Sequence, residues 1–328
     1  MIVTGHRVSE LRAGIHRLEE LDGPRLLCQY VVKGEASTLV VDAGLPTSPR
    51  SRLLPLLRDL GADRSPVVLV LTHPDADHCG GASVLRASLS RLSIVAHVAD
   101  SRLIGNPDRT LAERYCAFEA LDGIGPSTDR TDALRARLGA PFALDRLLEG
   151  DAAFDLGDRS AVALHVPGHS PGHLAVWLPE ERVAIVGDAV MGHGIPRVDR
   201  GLLYPPMYSP PAAYRATIDR LEALAPALVL CGHEPPLEGH EALAFLSESR
   251  AAAARLEMLV RERLVSGPSV TVAQLCSAVA ELYGELPAQS ARDFAMTVDG
   301  VLGELVAQGG ASVEPGPPRR FTAGEDLQ

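Results

Sequence analysis

Lysine is nearly missing from this chain of 328 residues. Lys33 stands alone, and arginine supplies the remaining positive charge among 31 basic and 42 acidic residues. The formal charge of −11 weighs against a nucleic-acid partner, whose phosphates are bound by clustered cations. No apolar run approaches the roughly 20 residues that span a bilayer. The opening MIVTGHRVSELRAGIHRLEE lacks the basic start, apolar core and small-residue cleavage site of a signal peptide. There is no CxxC pair either. Cys28, Cys79, Cys116, Cys231 and Cys276 are scattered and odd in number, which suits reduced thiols in a cytoplasmic protein rather than a disulfide framework. Aromatics make up only 4%, whereas the overall apolar content of 46% is ordinary for a globular protein. A chain of this length can hold one large domain and a small one, or two of moderate size.

What is present is a strand–helix alternation. GIHRL, LLCQYVV and STLVVDAG read as strands, SRLLPLLRDLGA as a helix by its apolar spacing, and PVVLVL as the next strand. A helix is expected to start just after His78 and carry ASVLRASL, followed by the strand LSIVAHV. Residues 101–148 contain polar turns and helical pieces and read as a lid inserted over one edge. Strand signals return in AVALHV, HLAVWL, RVAIVGDA and ALVLCG, with a helix at PAAYRATIDRLEALA. This gives an α/β domain over 1–246. Residues 247–328 carry three helical stretches and the hairpin-like ASVEPGPPRRFTA, and are expected to form a small, mainly helical, winged-helix-like domain, with the final GEDLQ frayed.

The chemistry-bearing residues stand where apolar strands give way to loops, the places from which a rigid scaffold presents functional side chains. LTHPDADHCGG puts His73, Asp75, Asp77 and His78 directly after PVVLVL. Asp42 ends VVDAG, His169 lies in VPGHSPGH, Asp188 follows RVAIVG, and His233 follows ALVLCG. One histidine at a strand end is more often structural; four strands that all end in His or Asp point to a metal site.

The order Asp42, HxDxDHxGG from His73, PGHSPGH ending at His173, Gly187-Asp188 and Gly232-His233 resembles the metallo-β-lactamase superfamily over roughly residues 8–246. The resemblance implies an αββα sandwich with metals in a shallow cleft at one sheet edge. It also implies two divalent ions, Zn²⁺ first. His73, Asp75 and His169 would take one ion, and Asp77, His78 and His233 the other, with Asp188 bridging. Asp42 would orient a ligand histidine from behind. A hydroxide held between the ions would attack a carbonyl or phosphoryl centre, with Asp77 accepting or returning a proton. Gly80 and Gly81 are expected to let the backbone turn tightly beside the ions.

Asp75 departs from the family's common HxHxDH. A carboxylate there hardens the first position toward Mn²⁺ or Fe, or binds poorly and leaves one ion on Asp77, His78 and His233. Other residues carry weaker expectations. His173 is read as a substrate contact, a support behind the ligands or a structural residue, and His193 as a substrate contact, a transition-state donor or an exposed bystander. Tyr204 and Tyr208, in LLYPPMYSPP, are placed as pocket walls. Cys79 is read as a packing residue and His6 as a surface residue, while His97 and His165 have no evident partner.

Three enzyme readings and one non-enzymatic reading follow. The first is a metal-dependent hydrolase of a small ester, lactone or thioester. The second, a ribonuclease-like phosphodiesterase, is disfavoured by the one arginine and three acids of SARDFAMTVDGVLGELVAQG. The third, a diiron redox enzyme, would need a flavin region that the chain does not show. A regulator with a scaffolding metal domain would not need the full ligand set. The expected partners are a small-molecule substrate and a second copy of the chain, with no membrane.

Overall fold

The computed structural model describes residues 7–283 and 288–325; His6 and the end of the GEDLQ tail lie outside them. Seven strands form the first sheet in sequence order: β1 (Arg7–Arg12), β2 (Ile15–Asp22), β3 (Arg25–Lys33), β4 (Thr38–Val41), β5 (Val67–Val70), β6 (Leu92–His97) and β7 (Arg146–Leu148). Pairings are antiparallel as far as β4 and parallel from there on. The parallel half needs crossovers. These are α1 (Leu54–Asp59), then α2 (Ala76–Cys79) with α3 (Ala82–Ser88), then the insertion of α4 (Pro107–Thr110), a π-helical turn at Leu111–Tyr115, α5 (Glu119–Asp122) and α6 (Thr128–Leu138).

The second sheet begins with β8 (Ala152–Asp155), β9 (Ser160–His165), β10 (Leu174–Leu178) and β11 (Val183–Gly187). A small ribbon of β12 (Ile195–Pro196) and β13 (Leu202–Tyr204) and the helix α7 (Pro211–Ala223) lead to β14 (Leu228–Cys231) and β15 (Leu237–Glu238). The order across this sheet is β15-β14-β11-β10-β9-β8. The C-terminal part comprises α8 (His240–Val265), α9 (Val272–Tyr283) and α10 (Ala295–Ala307). It also holds a three-stranded sheet of β16 (Val270–Thr271), β17 (Ala311–Glu314) and β18 (Arg320–Ala323). The hairpin expected in ASVEPGPPRRFTA is β17–β18.

Side-chain alternation explains the layering. In β4, Leu39 and Val41 face the second sheet, whereas Val40 faces α1 and α3. In β11, Val183 and Ile185 point into the space between the sheets, while Ala184 and Val186 point toward α7 and α8. Strands buried on both faces read as continuous apolar runs, which is why PVVLVL and ALVLCG show no polar residues within. The four layers are therefore helix, sheet, sheet, helix, with α8–α10 continuing the core behind the second sheet. Each fully buried Leu, Ile or Val contributes about 1.5–3 kcal/mol by leaving water.

The helix expected after His78 is α3, and a short helical turn precedes it: α2 starts at Ala76, with Asp75 at its N-cap position, and carries Asp77 and His78 itself. Gly80 and Gly81 have ordinary helical φ of −58° and −81°, so no turn demands them. Close approach does. A Cβ on Gly80 would lie 2.2 Å from the Arg137 carbonyl oxygen, and one on Gly81 2.4 Å from that of Ala43. α8 starts at His240 and runs without a break past residue 246, where the composition changes.

Candidate metal centre

The strand ends of both sheets converge at one edge. Asp42 leaves β4 with a left-handed φ of 63°, a conformation that Asp tolerates better than most residues. Its carboxylate accepts from the Thr72 amide (2.8 Å), the Thr72 hydroxyl (2.9 Å) and His78 Nδ1 (2.7 Å). Thr72 Oγ1, having donated to Asp42, accepts from His73 Nδ1 at 2.9 Å. His169 Nδ1 donates to the Met207 carbonyl at 2.8 Å, and His233 Nδ1 to that of Leu26 at 2.7 Å.

All four rings are thus anchored through Nδ1, which aims Nε2 inward. His73, His78 and His233 keep a buried Nε2 with no hydrogen-bond partner. Buried polar atoms left unpaired are costly, and imidazoles held from behind with a free lone pair suit a metal ion. Three groups of ligand atoms each lie within 4.8 Å: His73, Asp75 and His169; His73, His78 and Asp188; and Asp77, His78 and His233. These clusters can bind metal.

The charges reinforce this. Burial pushes His73 down to about 4, with the neighbouring His78 adding to the effect, so the ring stays neutral. Burial would also lower His78, but Asp188, Asp42 and Asp77 outweigh it and raise it well above the ordinary value. This is the pull that surplus buried carboxylates exert when nothing else balances them.

Two arginines complete the site, and sequence reasoning missed both. Arg114, from the π-helical turn, grips Asp75 with both prongs: Nε donates to Oδ1 and Nη2 to Oδ2 at 2.8 Å. Nη2 also reaches His169 Nε2 at 3.0 Å, and Nη1 donates to the His169 carbonyl at 3.3 Å. Arg25, at the start of β3, donates to Asp77 Oδ2 at 2.8 Å and is itself held by Asp22. Burial alone would raise both carboxyls. Arg114 instead holds Asp75 well below the usual carboxylate range, and Arg25, then His78 and His233, hold Asp77 below it.

Asp75, Asp77, Arg25 and Arg114 form part of the floor of a cleft of about 470 Å³. Its apolar walls are Phe118, Ile124 and Leu134 from the insertion, Leu203 and Met207, and Met296 of α10. Tyr204 lines it as expected, with the Arg25 guanidinium 5.5 Å from its ring centre. Tyr208 does not. It is fully buried, stacked on Tyr214 at 4.3 Å, and donates to the Ala253 carbonyl, which makes it a core residue.

His193 is exposed and does not line the cleft, because the turn between Gly192 (φ 53°) and Gly194 (φ 136°) carries it outward. His173 stacks on His73 with ring centres 4.9 Å apart. Burial, then His73 and His169, hold it well below its ordinary pKa, so it packs the ligand ring as a neutral neighbour. Cys79 is buried, its thiol turned to the Pro74 carbonyl. His97 and His165 stack on each other at 3.8 Å.

Comparison with known proteins agrees with this geometry. The model of the metallo-beta-lactamase superfamily matches residues 29–233. A hydroxyacylglutathione hydrolase of Erythrobacter litoralis is 32% identical over 120 residues, which are 34% of this chain and 45% of that protein. Acyl-coenzyme A thioesterase MBLAC2 of Gallus gallus is 29% identical over 168 residues, 49% of this chain and 56% of the other. The chain thus spans about half the length of these curated relatives. Among solved structures, a metallo-beta-lactamase family protein from Thermus thermophilus superposes with a TM-score of 0.73 at 23% identity, covering 96% of this chain and all of that one.

Proposed function

We propose that this chain, a member of the metallo-beta-lactamase superfamily, is a hydrolase that cleaves acyl thioesters whose thiol carrier is negatively charged. The composition of the cleft carries this reading. Its apolar walls suit an acyl group, and its floor and rim hold five guanidiniums (Arg25, Arg114, Arg130, Arg137 and Arg292) against the four carboxylates of Asp22, Asp75, Asp77 and Asp293. A cationic excess on a chain of charge −11 is a local feature that favours an anionic ligand. Arg130 and Arg292 share one carboxylate, Asp293, at 3.7 and 3.8 Å, and remain available for a carboxylate or phosphate of the carrier. Relatives named for hydroxyacylglutathione and acyl-coenzyme A point to the same class, since both compounds are acyl thioesters of anionic thiols.

Asp77, His78, His233 and Asp188 would hold a divalent cation, which when bound polarises a carbonyl and makes water more acidic. The protein's own groups do the rest. Asp42 and the Leu26 carbonyl fix the His78 and His233 rings. Arg25 keeps Asp77 ionised and in place, so its carboxylate can take the proton that the attacking water loses. As the C–O bond forms and the C–S bond breaks, that proton passes to the departing sulfur, and the carrier leaves as a neutral thiol.

The test is thiol release from acyl-coenzyme A and S-acylglutathione beside turnover of a matched oxygen ester, a lactone and bis(p-nitrophenyl) phosphate. Thioesters should lead by roughly tenfold or more, about 1.4 kcal/mol. Arg130→Met should raise KM for the anionic thioesters by about tenfold, the value of one charge-assisted hydrogen bond. Turnover of the lactone or phosphodiester without thioester cleavage would refute the proposal.

A further inference from the structure

The family pattern supplies two cation positions, and in this chain one of them already contains a cation. Arg114 donates to both oxygens of Asp75 and to His169 Nε2, so two of the three residues expected at the first position have their ligand atoms engaged. The third, His73, has its Nε2 3.3 Å from Asp75 Oδ2 without a hydrogen bond, and also within reach of His78 and Asp188. The unpartnered imidazole nitrogens therefore belong to a set that needs neither Asp75 nor His169.

Charge gives an independent argument. Four carboxylates enclosed in the site (Asp42, Asp75, Asp77 and Asp188) face two guanidiniums, Arg25 and Arg114, leaving two negative charges. Including Asp22 and Arg137, which pair with each other beside Arg25, does not change the count. One divalent ion neutralises the cluster. Two would bury an excess of positive charge around an arginine that has nowhere to shed its own, and uncompensated buried charge is strongly unfavourable.

We propose that the guanidinium of Arg114 stands permanently in the place of the first cation, so that the protein works with one divalent ion, held by Asp77, His78, His233 and Asp188 with His73 alongside. Asp75 then serves Arg114 and not a metal. The hardness it would have lent the site is lost, and the remaining nitrogen-rich set suits Zn²⁺. The inference rests on the metallohydrolase reading but not on the choice of a thioester.

The experiment is metal counting on the full chain, stripped with a chelator, reloaded with excess Zn²⁺ or Mn²⁺ and freed of unbound ion. Wild type should retain one ion per chain, and the Mn²⁺-loaded protein should give the resolved hyperfine spectrum of an isolated ion. Arg114→Met should raise the count to two and give the broadened spectrum of a coupled pair, while Arg114→Lys, which keeps the charge, should stay at one. Two ions in wild type would overturn the proposal even if the variants failed to fold. So would a count of one in a folded Arg114→Met. Absence of thioester cleavage with a count of one would defeat the substrate assignment and leave this inference standing.

Discussion

Replacing Asp42 with alanine tests whether the metal centre is built from behind. The carboxylate receives three donors, the Thr72 amide, the Thr72 hydroxyl and His78 Nδ1, in a buried setting. The hydroxyl can rotate to another acceptor, but the amide and the ring nitrogen cannot. Each buried donor left unpaired costs about 1–3 kcal/mol. Alanine at φ 63° adds about 1–2 kcal/mol of backbone strain. The sum, roughly 3–8 kcal/mol, is comparable with the whole stability of a typical domain, about 5–15 kcal/mol, so water entry must relieve part of it if the variant is to fold.

Asp42→Asn separates the contributions. It tolerates the left-handed backbone and keeps one acceptor, but removes the charge and cannot serve both donors. Urea unfolding of the metal-free proteins should rank wild type, then Asn, then Ala. Competition with a chromophoric chelator should show metal affinity falling about 10- to 100-fold in both variants, the usual effect of losing a ligand's hydrogen-bond partner. Equal stability of wild type and Ala, or metal affinity unchanged within about threefold, would refute the argument that Asp42 sets the His78 ring.

Two further outcomes are expected. Gly232→Ala would put a Cβ 2.4 Å from Asp188 Oδ1 and 2.8 Å from His78 Cε1. It should therefore lower metal occupancy, measured by elemental analysis, while far-UV circular dichroism stays close to wild type; full occupancy would show that the site yields more than its packing suggests. Burial raises the pKa of all five thiols, and only Cys116 is partly exposed. Native protein should therefore react with a disulfide reagent at no more than that residue and fully once unfolded; rapid labelling of a second thiol in the native state would contradict the packing.

Much of the sandwich, and the gathering of histidines and aspartates at one sheet edge, was legible because both are local in sequence. An apolar run ending in His or Asp carries its strand, its burial and its functional tip within ten residues or so. Arg114 and Arg25 were hidden because each pairs across the fold, 39 and 52 residues from its carboxylate, and a lone arginine in a polar insertion looks solvated. The one available clue was chemical: Asp75 in a buried loop of an acidic chain needs a cation from somewhere. Tyr208 was misplaced, and His193 left open, for a different reason. Prolines and glycines announce a loop without saying which of its side chains turn inward, and here the inward one stacks on Tyr214 while the histidine is carried to the surface.

The cleft walls have a consequence for how such a protein can change. Histidines and carboxylates come from strand ends welded into two sheets, whereas the enclosing surface is contributed by three stretches far apart in the chain: the insertion, the ribbon ending at Tyr204, and the start of α10. Apart from Arg114 and Tyr115 of the insertion, which hold Asp75 and the Ala76 amide, these stretches can be lengthened, shortened or exchanged without moving a strand of the two large sheets. Selectivity is thus free to drift while the reactive edge stays fixed, and a designer seeking a new acyl preference would edit three replaceable panels around a permanent bench.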